Sequence, residues 1–184
     1  MDKVELKWEL LADTYRRLFH NAFFREMPST IYKVVGSAGF IDAVEIAARA
    51  VKDSFPDLVK ECCMLGGMET DTGSSLHEKM EAYVKCHNCV AAQLKGMARL
   101  SLLESSDKKI VVRVTMPASA AYESKLLTAV RAGIVVGILR ALGVEAHALM
   151  SANHERLLHC PEDCYVVYID RVDEKGYVVV IERR

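Results

Sequence analysis

Two periodicities divide this chain, and they limit the folds open to it. As far as about Glu104 the apolar side chains recur every three or four positions; from Lys108 onward alternating stretches appear, interrupted by one strongly apolar helix. A period of 3.6 buries one stripe of a helix, and a period of two buries one face of a strand. Helices therefore come early and strands late. That order argues for an α+β fold and against a doubly wound parallel sheet, in which the two alternate.

In the first part, Trp8, Leu11, Tyr15, Leu18 and Ala22 mark an amphipathic helix over Val4 to Arg25, ended by Pro28. The stripe Ile41, Val44, Ala48, Val51 and Phe55 predicts a second helix from about Thr30 to Phe55. Gly36 and Gly39 weaken its start, through either a break between two shorter helices or a close backbone approach. Pro56 and Asp57 open a third helix that carries Cys62 and Cys63 and ends at Gly66-Gly67. After a polar loop, Ser74 or Ser75 with Glu78 forms a capping signature for a long helix, about Leu76 to Glu104.

In the second part, Lys108 to Thr115 predicts a strand, and Tyr122 to Leu142 a helix apolar on most faces that stops at Gly143. Three strand candidates follow: Val144 to Ser151, Tyr165 to Val172 and Tyr177 to Glu182. Asp173 to Gly176 forms a hairpin loop between the last two. The expected architecture is one domain, 1–184, with a helical part (1–105) and a strand-helix-strands part (106–184). Its N-terminal helices and a buried C-terminal helix lie against a mainly antiparallel sheet of about four strands.

A net charge of -1, with no basic cluster, argues against nucleic acid as a partner. The longest apolar run, Leu126 to Val144, contains Arg131 and Arg140 and is too interrupted for a membrane span. No apolar stretch follows a basic one at the start, so a cytoplasmic location is expected. In that setting the six cysteines are expected to be reduced thiols.

The cysteines fall in three close pairs: Cys62 and Cys63, Cys86 and Cys89, Cys160 and Cys164. Cys86-His87-Asn88-Cys89 places two thiols one helical turn apart, on a face expected to point inward with Tyr83, Val90, Gln93, Met97 and Leu100. Two thiolates one turn apart supply half of a tetrahedral zinc site. Cys62 or Cys63 supplies a third ligand, and a His or water the fourth. The competing expectation is that these are small apolar core residues. His159, Cys160 and Cys164 form a less favoured metal group, with a turn holding two half-buried thiols as the preferred reading. His154 and His159 are not a zinc-protease pair: five positions apart, they lie about 140° around a helix from one another. Gly133 and Gly137 form a GxxxG, which favours close helix packing and otherwise opens room for a ligand.

From about Lys109 onward the chain resembles the V4R (4-vinyl-reductase-like) domain, related to the Bet3-type subunits of the TRAPP vesicle-tethering complex. The resemblance rests on four features: the strand Ile110 to Val114, the glycine-bearing helix Ala132 to Leu139, Leu142-Gly143-Val144 leading into a strand, and Cys164 opening Tyr165 to Ile169. It covers about sixty residues well and the helical half in outline. Where the family often has a Cys near the start of the buried helix, this chain has Ser124. The resemblance implies helices on an antiparallel sheet, often as a homodimer, with an apolar pocket for a hydrophobic small molecule.

Together these features suggest a ligand-binding or sensory domain. Its pocket is expected between the buried helix and the long helix, lined by Tyr83, Val90, Gln93, Met97, Gly133 and Gly137, with Cys86 and Cys89 as a metal or thiol head. The alternatives are a thiol- or zinc-dependent hydrolase or reductase, with His87 or His77 as base, and a structural homodimeric scaffold.

Overall fold

The computed structural model describes residues 26–66, 75–93, 97–117, 129–149 and 163–184, with Leu18 and Ala22; the side chains at 37, 55–66 and 93 are not among those described. The helix expected over Val4 to Arg25 and the first half of the one expected over Tyr122 to Leu142 fall largely outside these residues. The described elements run α1 (Met27–Val35), α2 (Ser37–Gly66), α3 (Leu76–Gln93), β1 (Arg99–Ser105), β2 (Lys109–Thr115), α4 (Val130–Ala141), β3 (Ala146–Ala148), β4 (Tyr165–Asp173) and β5 (Gly176–Arg183). The fold is α+β.

Local chemistry sets most of the boundaries. Pro28 sits in the first turn of α1, where a missing N–H costs nothing. Gly36 then takes a left-handed backbone (φ 78°) and its N–H closes on Tyr32 O at 2.9 Å, so the break expected near the early glycines is real. The helix after it is longer than the sequence suggests. α2 crosses Pro56 without ending, because a proline removes one rung of the hydrogen-bond ladder while its neighbours on either side remain. α3 begins with a reciprocal cap: Ser75 N–H donates to Glu78 Oε2 at 2.8 Å, and Glu78 N–H donates to Ser75 Oγ at 3.3 Å.

The main correction is at the end of α3. The expected helix to Glu104 stops at Gln93, and residues 99–105 form a fifth strand. Met97 and Leu100 match a helical spacing by coincidence. In the fold Leu100 and Leu102 turn to the core while Ser101 and Leu103 face out. The signal for this lay in the hairpin turn after Ser105, where Ser106 N–H donates to Lys109 O.

The sheet order is β1-β2-β5-β4-β3, with every neighbour antiparallel except β3, which runs parallel to β4. Central β5 is buried along both faces from Gly176 to Ile181. Ile110, Val112 and Val114 of β2 and Val179 and Ile181 of β5 meet Ala132, Val136 and Leu139 of α4, with Leu76 and Met80 of α3 completing the core. Each of the fully buried larger side chains contributes roughly 1.5–3 kcal/mol. Among the described residues no helix is long and apolar enough to cross a membrane.

α4 lies between the sheet and α2. A Cβ on Gly133 would stand 2.3 Å from Val44 O, and one on Gly137 would stand 2.4 Å from Ala48 O. The backbone of α2 occupies the space these glycines leave, so the GxxxG serves close packing. Arg131, which interrupts the apolar run in the sequence, is buried in the first turn of α4.

Candidate functional site

The residues expected to line one pocket are separated in the fold. Gly133 and Gly137 face α2 rather than α3, with the carbonyl oxygens of Val44 and Ala48 standing where a Cβ would be. Tyr83 faces the core from α3, Val90 is half-buried, and Met97 lies beyond the helix at the approach to β1. The side chain of Gln93 is outside the described residues. The described residues therefore do not bring Gly133 and Gly137 to the same face as Tyr83 and Val90.

The cysteines also depart from expectation. Cys86 and Cys164 are each engaged in a disulfide, and Cys89 is a free, exposed thiol. The buried stripe of α3 runs through Leu76, Met80, Val84 and Ala91. At about 100° per residue, Cys89 lies some 200° around from inward-facing His87, so it points to solvent. A sulfur held in a disulfide donates no thiolate to zinc, and Cys86 and Cys89 do not form the expected half-site. Cys164 is fully buried at the head of β4. The side chains of Cys62 and Cys63, and His159 and Cys160 altogether, lie outside the described residues. Among the described residues no group of three His, Cys, Asp or Glu side chains is placed to hold a metal ion.

The two middle residues of the CxxC hold the edge strand. Asn88 Nδ2 donates to Leu100 O at 2.8 Å, and Leu100 N–H donates to Asn88 Oδ1 at 2.9 Å. His87 Nε2 donates to Ala98 O at 2.9 Å, which leaves Nδ1 as an acceptor facing Tyr83 Oη at 3.5 Å. Burial holds the His87 pKa below its ordinary value, against the opposing pull of the Ala98 carbonyl, and keeps the ring neutral. Burial, with Tyr177 nearby, pushes the Tyr83 phenol up. Beside them Arg131 stacks over the Tyr177 ring, 5.4 Å from its centre, and donates to Met116 Sδ at 3.4 Å. His77 Nδ1 meets Ser105 Oγ at 2.5 Å, and its Nε2 stands 3.6 Å from Glu81. The ring nitrogens of His87 thus face Ala98 O and Tyr83 Oη, and those of His77 face Ser105 Oγ and Glu81.

A cleft that the sequence reading missed lies where α2 meets the short edge strand β3. Ile41, Val44, Ala129, Ala148 and Leu149 give it apolar walls, and Glu45 and His147 supply its polar groups. Its volume is about 40 Å³, room for a few water-sized atoms. Arg140 fixes one wall, donating from Nη1 to Glu45 Oε1 at 2.6 Å and from Nε to Ala146 O at 3.0 Å. His147 Nε2 is shut from solvent and makes no hydrogen bond; Glu145 Oε1 is 3.1 Å away but out of line for one. An unsatisfied buried nitrogen costs about 1–3 kcal/mol, which a ligand that hydrogen-bonds to it can recover. Nothing in the sequence singled out His147, because the cleft joins residues roughly a hundred positions apart.

No protein-family model matches this chain, nor does any curated protein or solved structure.

Proposed function

We propose that this chain is a small-molecule-binding or sensory domain of V4R type, and that the cleft at His147 receives the polar end of its ligand. The observation that carries this reading is the solvent-shielded His147 Nε2 beside walls formed by Ile41, Val44, Ala129, Ala148 and Leu149. Ligand sites combine mostly apolar walls with one or two such polar groups. An imidazole ring nitrogen can serve as a hydrogen-bond donor or acceptor, so a hydroxyl, carbonyl or carboxyl oxygen fits. The apolar walls favour a hydrophobic remainder. The cleft is far below the several hundred Å³ of a whole drug-sized site, so it takes the head group alone.

A structural homodimer is the second reading. It is favoured by the exposed apolar side chains Met27, Tyr32, Val34 and Val35 on α1 and Ile46 on α2.

Native mass spectrometry of the purified chain separates the two. A mass excess of a few hundred daltons per chain, lost in His147→Ala, is the expected result. A dimer of bare polypeptide mass would refute the ligand reading and support the scaffold.

A further inference from the structure

We propose that Cys86 and Cys89 form a thiol–disulfide exchange site, in which exposed Cys89 attacks the disulfide held by Cys86 one turn before it on α3. Three observations place the parts. Cys86 Sγ already belongs to a disulfide and its residue is half-buried; Cys89 is free and exposed; and the two lie at i and i+3 of one helix. The reaction balances within the chain. Cys89 loses its proton to solvent, and its thiolate forms a bond to Cys86 Sγ. The bond from Cys86 to its present partner breaks, and that partner leaves as a thiolate that takes up a proton. No oxidant or reductant is consumed, because one disulfide replaces another.

Helix geometry sets the cost. Neighbours at i and i+3 have Cβ atoms about 5–6 Å apart, and a disulfide needs about 3.5–4.5 Å. The turn must tighten by about 1–2 Å, the difference between those two spacings. The turn that must tighten lies in the last described turns of α3, which runs to Gln93. The tightened turn is also the one through which His87 and Asn88 hold Ala98 and Leu100. Exchange therefore reaches the edge strand β1, and the proposal needs no ligand at the His147 cleft.

The test uses the full chain, purified without reductant and incubated at about pH 8.5, the ordinary thiol pKa. Aliquots are quenched with acid, alkylated and digested with trypsin, which cuts after Lys85 and Lys95 and leaves both cysteines on one peptide. The expected result is a growing fraction of that peptide two hydrogen masses light, free of any second peptide, with the alkyl label moving from Cys89 to another cysteine. The Leu100 amide resonance should shift in step. Cys89→Ser should abolish the light peptide while Cys86 stays joined to its original partner. The proposal is overturned if Cys89 keeps the label throughout, or if Cys86 is alkylated from the outset.

Discussion

Gly133→Ala tests the packing of the buried helix, because two physical effects predict opposite signs. In an open helix, alanine stabilises over glycine by about 1 kcal/mol. In this fold the new Cβ would meet Val44 O at 2.3 Å, whereas ordinary contact begins at 3.4 Å, so α4 and α2 must part by about 1.1 Å. The obstructing atom is a backbone oxygen inside a helix and cannot rotate away, as a side chain would. Overpacking of this kind costs about 1–3 kcal/mol, and a rigid obstacle places it toward the upper end. After the propensity gain, a net loss of about 2 kcal/mol is expected. For a chain of this size that lowers the melting midpoint by about 4–8 °C. Urea denaturation followed by circular dichroism should show a lower midpoint with an unchanged slope. A midpoint equal to or above the parent's would mean that propensity alone acts there and that α4 does not lie against α2.

Asn88→Ala removes both side-chain hydrogen bonds to Leu100, and it should cost about 1–3 kcal/mol and speed hydrogen exchange at the Leu100 amide; unchanged protection there would contradict the clasp on β1. Asp173, paired in two contacts with Arg113 and accepting from Lys175 N–H, is pulled down to about 2. A depressed carboxyl stabilises the fold above its unfolded pKa of about 3.9 and loses that contribution as pH falls through its folded value. Asp173→Asn should therefore reduce stability near neutrality, and its deficit should shrink as acid is added from pH 4 toward 2; a deficit constant across that range would show that the pair contributes nothing by charge.

Local signals predicted the elements whose ends are set by neighbouring residues. The Ser75–Glu78 cap, the break at Gly36, the alternation of Ile110, Val112 and Val114, and the stop at Gly143 each depend on a few adjacent positions. The helix expected to Glu104 runs too far because Met97 and Leu100 satisfy a helical spacing, while the inward alternation of Leu100 and Leu102 is only two residues long and is fixed by the partner strand β2. Local spacing also misdirected the site. CxxC pointed to a metal, but which side of a helix is buried depends on what packs against it, and β1 selected the face carrying His87 and Asn88 over the one carrying Cys89.

The sequence by itself determined the class of this protein: its order of helices and strands and its apolar helix meant to be covered on most sides. Those follow from periodicity and turn chemistry, which act over a few residues. Only the tertiary structure decided that α2 fills the space beside Gly133 and Gly137, that β1 joins the sheet, and that His147 meets Ile41, Val44 and Glu45. Each of these depends on contacts between segments far apart in the chain, which no local pattern encodes.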